Sequence, residues 1–175
     1  MTFALPFVFL NKFVPMITNI SFSDMIWYNT VMMIFDISLL PIAGVLAKRF
    51  GVVNWMLTMS FLLMVSSMPL FVLISTVSFW NIMLIKFWFV VVGVGLSAPL
   101  KSWLFYLIPT SERYIVSGIG GAIGAGILGR HTTTVCWALW YQTNSVLGPS
   151  MYITFLSFLG FVALYMQKRS RVNLH

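Results

Sequence analysis

The segment WNIMLIKFWFVVVGVGLSAPLKSWLFYL, residues 80–107, decides the class of fold. Its only charged side chains are Lys86 and Lys101. The segment exceeds the roughly 20 apolar residues that a helix needs to cross a hydrocarbon core. It is predicted to be a membrane-spanning helix, because lipid offers no hydrogen-bond partner to backbone N–H and C=O groups and a helix satisfies them internally.

The composition of the whole chain predicts the same class. The 175 residues are 60% hydrophobic and only 7% charged, whereas a soluble domain carries about 25% charged residues. This excludes a surface that faces water on all sides. The net charge of +7 would favour a nucleic-acid partner in a soluble protein. In a membrane protein it indicates Lys and Arg kept on the cytoplasmic side. We therefore predict an all-α, multi-pass protein whose surroundings are the lipid bilayer, with no nucleic-acid partner.

Six apolar stretches are predicted as transmembrane helices: about 1–19, 25–47, 52–76, 80–107, 114–142 and 147–167. Together they form one domain over 1–167, and a basic tail follows over 168–175. Lys and Arg occur in the second and fourth breaks and in the tail, and none occurs in the other three breaks. This alternation predicts six spans in the inner membrane, with both termini cytoplasmic.

Two of the breaks carry motifs. PIAGVLAKRFG, at 41–51, resembles the helix-loop-helix signature of the major facilitator superfamily, with matches at Gly44, Leu46, Ala47, Arg49 and Gly51. Lys48 stands where that signature has an aspartate, so the acidic half of the loop's charge network is missing.

The second motif is LIPTSERYIVSG, at 107–118. It resembles the LFPTxxR hinge of the metabolite:proton symporters, the group that contains the proline/betaine transporters, with matches at Pro109, Thr110 and Arg113. In that group the first motif joins helices 8 and 9, and the second joins helices 10 and 11. The resemblance covers nearly the whole chain, as the C-terminal half of a twelve-helix transporter.

This resemblance implies a function and a partner. The function is proton-coupled symport of a small zwitterionic or anionic solute, such as proline, betaine or a carboxylate. Because such transporters rock two halves around a midplane site, the partner is a separately encoded N-terminal half or a second copy. The alternative is a non-transporting relic, or an accessory membrane subunit that only packs against a partner half.

Enzymatic activity is not expected from the sequence, since no nucleophile–base–orienter set is present. Metal and cofactor sites are not expected either. Cys136 is the only cysteine, and the sequence has neither a His-x-x-x-His motif nor a carboxylate cluster.

Charged residues inside the predicted spans are the candidates for binding and proton coupling: Asp36, Arg130, Lys86 and Lys12. A charge at the midplane costs about 2.5–3.5 kcal/mol and normally faces the bundle interior and pairs. Asp36 is the only carboxylate within a span, and we predict that it pairs with Arg130, with Lys12 or Lys86 as the competing partner. Asp36 is then either a proton-coupling group or half of a structural ion pair. Arg130 either binds a solute anion or is structural.

The predicted fifth span is also rich in glycine. Gly120, Gly121, Gly124 and Gly126 form small-xxx-small pairs with one another and with neighbouring small residues. Such pairs let helices approach closely in a membrane. They indicate either a static packing surface or one that slides during transport.

Overall fold

The computed structural model of the chain describes residues 4–18, 20–74 and 79–172. Nothing is described of the side chains of a few further helical residues, among them Lys101 and Arg130. The described residues form helices and short connections, with no strand among them. The elements are a π-helical turn Leu5–Phe9, then α1 Leu10–Ile17, α2 Phe22–Phe50, α3 Val52–Ile74, α4 Phe79–Leu107, α5 Arg113–Ile123, a π-helical segment Gly124–Gly129, α6 Arg130–Thr143 and α7 Leu147–Val172.

Four helices have the length and apolar composition of membrane spans: α2, α3, α4 and residues Leu147–Arg169 of α7. The prediction of an all-helical chain is confirmed over the described ranges, and these four helices are long and apolar enough to cross a membrane. The full set of six spans is not confirmed. The first apolar segment is helical over Leu5–Ile17, which at 1.5 Å per residue covers about 20 Å. This is short of the roughly 30 Å of a hydrocarbon core. Residues 1–3 and 75–78 lie outside the described ranges.

The predicted fifth span is divided into three pieces. Between α5 and α6 the backbone follows the wider π-helical pattern over Gly124–Gly129. Glycine lowers helix stability by about 1 kcal/mol relative to alanine, so a glycine-rich stretch is a weak place in a long helix. The run over 113–143 is therefore helical throughout without being one uninterrupted α-helix.

Contacts between α3 and α4 show that these helices are antiparallel. The indole N–H of Trp55, near the start of α3, donates to the carbonyl of Gly95 at 2.9 Å. Near the other end of α3, the Ser66 hydroxyl accepts from the Trp88 indole at 3.1 Å. Residues late in α3 thus meet residues early in α4.

Hydroxyl groups join α3 to α7 in the same antiparallel sense. Ser60 Oγ donates to the carbonyl oxygen of Ser157 at 2.9 Å, and the Ser67 and Thr154 hydroxyls are 2.6 Å apart. Interhelical hydrogen bonds of this kind hold helices together in lipid, where apolar side chains gain little by leaving it. Ring contacts pair Tyr28 with Phe79 and Phe35 with Phe87, so α2 and α4 run parallel.

The C-terminal ends of α2, α4 and α7 therefore lie at one end of the bundle. Exposed cations gather there, and we call it the basic end; they are Lys48, Arg49, Lys168 and Arg169. At this end α2 passes into α3 through the single residue Gly51, whose φ of +86° is a conformation that favours glycine.

The same directions fix the path of residues 113–143. Helix α4 ends at the basic end, whereas α7 begins at the opposite end, because it is antiparallel to α3. The run over 113–143 must therefore travel from one end of the bundle to the other, although its π-helical segment divides it.

Helix α4 lies at the centre of the bundle, against α2, α3 and the N-terminal helical segment. That segment is inserted at the end opposite the basic end. Phe9 and Phe13 are fully buried there, against Phe71 of α3 and Trp137 of α6. This aromatic packing holds the short helix in place and brings Asn11, which lies between the two rings in sequence, into the interior.

Candidate functional site

Lys86 is a fully buried lysine on the central helix, with 1% of its surface exposed. It lies seven residues after Phe79, the first residue of α4, or about 10 Å from the end opposite the basic end. A charged side chain buried at this depth needs partners in the protein, because lipid supplies none.

Two asparagines provide those partners. The Lys86 ammonium donates to Asn11 Oδ1 at 2.5 Å and to Asn29 Oδ1 at 3.0 Å. Asn11 comes from α1, Asn29 from α2 and Lys86 from α4. The three-residue cluster, which we call the Lys86 site, therefore joins three helices through hydrogen bonds.

Asn29 is directed towards α4 by the pattern of α2. Inward-facing positions recur every three or four residues along this helix, as expected for one face packed on a neighbour. They are Met25, Asn29, Met32, Asp36, Leu39, Ala43 and Ala47. An asparagine in this row faces the central helix because of its register.

Asp36 belongs to the same row. It lies two turns beyond Asn29, a rise of about 10 Å, and it is half-buried. It makes no hydrogen bond or ion pair with a residue that the structure describes. A carboxylate without a protein partner and a buried ammonium thus share the α2–α4 contact.

The Lys86 site has hydrogen-bond donors to spare. Two of the three ammonium protons are used by the asparagine oxygens. Neither asparagine NH₂ group donates to a described residue. One ammonium proton and the NH₂ groups of Asn11 and Asn29 therefore have no acceptor among the described residues, and no described carboxylate balances the charge of Lys86. This arrangement suits an anionic or carboxylate-bearing ligand.

No two of the four predicted charged residues are paired among the side chains that the structure describes. Lys86 uses amide oxygens, and Asp36 is not its partner. Lys12 is exposed, because it follows the inward-facing Asn11 and points to another side of α1. The side chain of Arg130 lies outside the described part, so the Asp36–Arg130 pair stays a prediction.

The motif residues lie at the basic end. Gly44, Lys48 and Arg49 are in the last turns of α2, and Gly51 makes the turn into α3. Pro109 and Thr110 lie in the turn after α4, where the carbonyl of Pro109 accepts from the N–H of Glu112 at 3.1 Å. Arg113 is the first residue of α5.

The glycine positions do not pack closely within one chain. A Cβ built at Gly120, Gly121, Gly124 or Gly126 meets no atom within 4 Å beyond its own helix backbone. For Gly120 and Gly121 the reason is that α5 buries none of its residues against the bundle, and Gly124 and Gly126 lie in the π-helical segment that follows. The expected close packing is therefore not formed among the residues that the structure describes.

Asn11 and Asn29 were missed by reasoning from charge alone. A signal was present, since both are amides inside apolar runs and Asn29 is seven residues from Asp36. A search for intramembrane amides at helical spacing from charged residues would have found Asn29. The approach of α1 to α4 depends on aromatic packing between distant segments, and no local pattern predicts it.

Comparisons with protein families, with curated proteins and with solved structures found no match for this chain. The resemblance to the major facilitator superfamily therefore rests on the two motifs and their spacing. The Lys86 site stands independently of that resemblance, since it is defined by burial and hydrogen bonds.

Proposed function

We propose that this chain is the C-terminal half of a secondary active transporter, which carries a small zwitterionic or anionic solute together with protons. The observation that supports the proposal most is the Lys86 site, a buried cation that has no described counter-charge and has donors to spare. An intramembrane ionisable residue of this kind commonly marks a substrate or ion pathway.

In this proposal the carboxylate of the solute binds at Lys86. It accepts the remaining ammonium proton and the amide N–H groups of Asn11 and Asn29, and it balances the buried charge. Hydrogen bonds between charged partners are about twice as strong as neutral ones. A solute without a negative group would leave the site uncompensated, so the class of solute follows from the charge of Lys86.

Asp36 is proposed as the proton-coupling group. It is the inward-facing carboxylate of α2, and it lies about 10 Å from Asn29 along the same row. Because it is half-buried and makes no hydrogen bond with a described residue, nothing in that part of the chain holds it permanently ionised. It can therefore take up and release a proton as access to the two sides of the membrane alternates.

The proposed arrangement has six crossings with both termini cytoplasmic, and a partner half completes the cavity. The gathering of Lys and Arg at the basic end supports this orientation. The open glycine surface of α5 supports the need for a second chain, either an N-terminal half or another copy.

Ligand binding tests the proposal. Wild-type chain in lipid nanodiscs is screened by thermal unfolding against proline, betaine, small carboxylates and uncharged analogues. We expect a carboxylate-bearing ligand to raise the unfolding midpoint, and Lys86→Gln to abolish that rise. The control Lys168→Gln removes an exposed lysine at the basic end and leaves the response intact.

Proton coupling needs a separate measurement. Uptake of the ligand so found is measured in proteoliposomes at several pH values, for wild type and Asp36→Asn, with the partner half co-reconstituted. Loss of the pH dependence in Asp36→Asn is expected. An unchanged pH dependence would show that Asp36 is not the proton-coupling group. The proposal that a solute binds at the Lys86 site would not be affected.

The second candidate is an accessory subunit that binds no solute. It is favoured by the fact that two amide oxygens already accept from Lys86 within the chain. In that case no carboxylate ligand changes the unfolding midpoint of the wild type, and Lys86 contributes only to holding three helices together.

A further inference from the structure

A cleft of about 320 Å³ opens at the junction of α4 and α5. Its lining residues are Ser102, Phe105, Tyr106 and Arg113. It lies next to the C-terminal end of α4, and so at the basic end, on the side of the bundle opposite the Lys86 site. The proposed solute and proton-coupling sites lie elsewhere, although Arg113 is also one of the hinge residues that carry the resemblance.

Arg113 is held in place in this cleft by an aromatic ring, but it has no ion-pair partner among the described residues. Its guanidinium carbon is 5.6 Å from the centroid of the Phe105 ring, a cation–π arrangement that fixes the plane of the group. Its Nε is buried and has no hydrogen-bond partner. No carboxylate forms an ion pair with it among the described residues, although Glu112 precedes it in the chain.

A buried donor without a partner calls for an explanation, and an unseen ion or ligand is one of the common ones. The chemistry of the lining narrows the class of ligand. A guanidinium presents N–H groups in a rigid fork that matches the oxygens of a phosphate. The hydroxyls of Ser102 and Tyr106 add two more donors at the same cleft.

We propose that this cleft binds a phosphate group, with Arg113 as its principal ligand. The guanidinium binds two phosphate oxygens, Phe105 holds its plane, and the two hydroxyls donate to the remaining oxygens. The phosphate belongs either to a phospholipid headgroup or to free phosphate. Tyr106 is exposed at the rim, and tyrosine is enriched where protein meets the interface of a bilayer.

Two arms of one experiment separate these sources. In the first arm, purified chain in uncharged detergent is titrated with inorganic phosphate, and binding is followed by thermal unfolding. In the second arm, the chain is exposed to micelles containing phosphatidylglycerol, and native mass spectrometry measures how many lipid molecules are retained. Each arm compares wild type, Arg113→Gln, Arg113→Lys and the control Arg169→Gln, which removes an exposed arginine at the same end.

Arg113→Gln is expected to lose about tenfold in affinity, since a charge-assisted hydrogen bond is worth at least that factor. Arg113→Lys is expected to recover part of it, because charge remains and the fork is lost. Arg169→Gln is expected to bind like wild type. Binding in either arm with this pattern supports the proposal and identifies the source of the phosphate.

Three results would overturn it. One is an absence of binding to wild type in both arms. Another is an affinity of Arg113→Gln equal to that of wild type, and the third is an equal loss in Arg169→Gln, which shows general charge attraction. Helical circular dichroism checks that each variant is folded. Ser102→Ala gives a second, milder variant whose reduced affinity is expected if the cleft is the site.

Discussion

Lys86 shows how one residue can join three helices. No described carboxylate pairs with its ammonium. Among the described residues, only the two asparagine oxygens stabilise this buried charge. Removing one partner of a buried hydrogen bond leaves the other without its solvation, at a cost of about 1–3 kcal/mol, and more when the group is charged. Asn29→Leu is therefore expected to destabilise the folded chain by at least about 2 kcal/mol, measured as a fall in the unfolding midpoint in detergent.

The double variant Asn29→Leu/Lys86→Met separates charge from packing. If the cost arises from a stranded ammonium, replacing both groups by apolar ones restores most of the stability. Asn81→Leu, at an exposed position of the same helix as Lys86, is the control and is expected to change little. A double variant as unstable as Asn29→Leu alone would contradict the electrostatic interpretation.

The sequence alone identifies Lys86 as a candidate, because a lysine in an apolar run is conspicuous. It does not predict which residues bind that lysine. Asn29 follows from the helical register of α2, whereas Asn11 depends on the insertion of a short aromatic helix beside α4. Charge alone predicted Arg130 as the partner of Asp36 and Lys86 only as a competing one, whereas the structure pairs Lys86 with two neutral amides.

Replacing glycine by alanine is expected to have opposite effects on the stability of the chain in α7 and in α5. A Cβ at Gly148, in the first turn of α7, would lie 2.7 Å from Thr143 Oγ1 and 3.0 Å from the carbonyl oxygen of Leu139. The backbone carbonyl cannot move without disturbing the end of α6. Gly148→Ala is expected to destabilise the chain by about 1–3 kcal/mol, as overpacking does.

Gly120→Ala is the matched substitution in α5, where no atom lies within 4 Å of the new methyl group. Alanine favours the helix by up to about 1 kcal/mol over glycine, so this variant is expected to be as stable as wild type or slightly more so. Thermal unfolding of the two variants, side by side, measures both effects. A loss of stability in Gly120→Ala would show that the α5 surface is covered within the purified protein.

Helices of uniform apolar composition were predictable from length alone, as α2, α3 and α4 show. The stretch over 113–143 was not, because its polarity and glycine content change along its course. Hydropathy averaged over such a stretch predicts one span. The backbone instead passes through a π-helical segment with i→i+5 hydrogen bonds. Its wider turn changes the direction in which all later side chains point, compared with an uninterrupted α-helix.

At the scale of the whole molecule, the positions of Lys and Arg predicted which breaks between helices share one side of the membrane. The helix directions place the cations of these breaks at one end of the bundle. The alternation of Lys and Arg between breaks needs no knowledge of packing, which is why it could be predicted. The number of full crossings does not follow from charge, and the helix described in the first apolar segment, Leu5–Ile17, covers about 20 Å.

The path of the chain can be tested by cysteine labelling. Cys136 is the only cysteine and is fully buried, so Cys136→Ser gives a background without thiols. Single cysteines then replace four exposed residues: Asp24, Glu112, Asn144 and Lys168. Glu112→Cys and Lys168→Cys are at or next to the basic end, whereas Asp24→Cys and Asn144→Cys are at the opposite end.

We expect a membrane-impermeant maleimide to label the first pair only in inside-out vesicles and the second pair only in right-side-out vesicles. The reason is that positive residues are retained on the cytoplasmic side and that residues 113–143 pass from one end of the bundle to the other. Labelling of Asn144→Cys from the same side as Glu112→Cys would mean that this run turns back, and the placement of α7 antiparallel to α3 would then be wrong in the membrane. Labelling of all four sites in both preparations would show that the chain does not cross the bilayer in one orientation. The cations at the basic end would then not determine the topology.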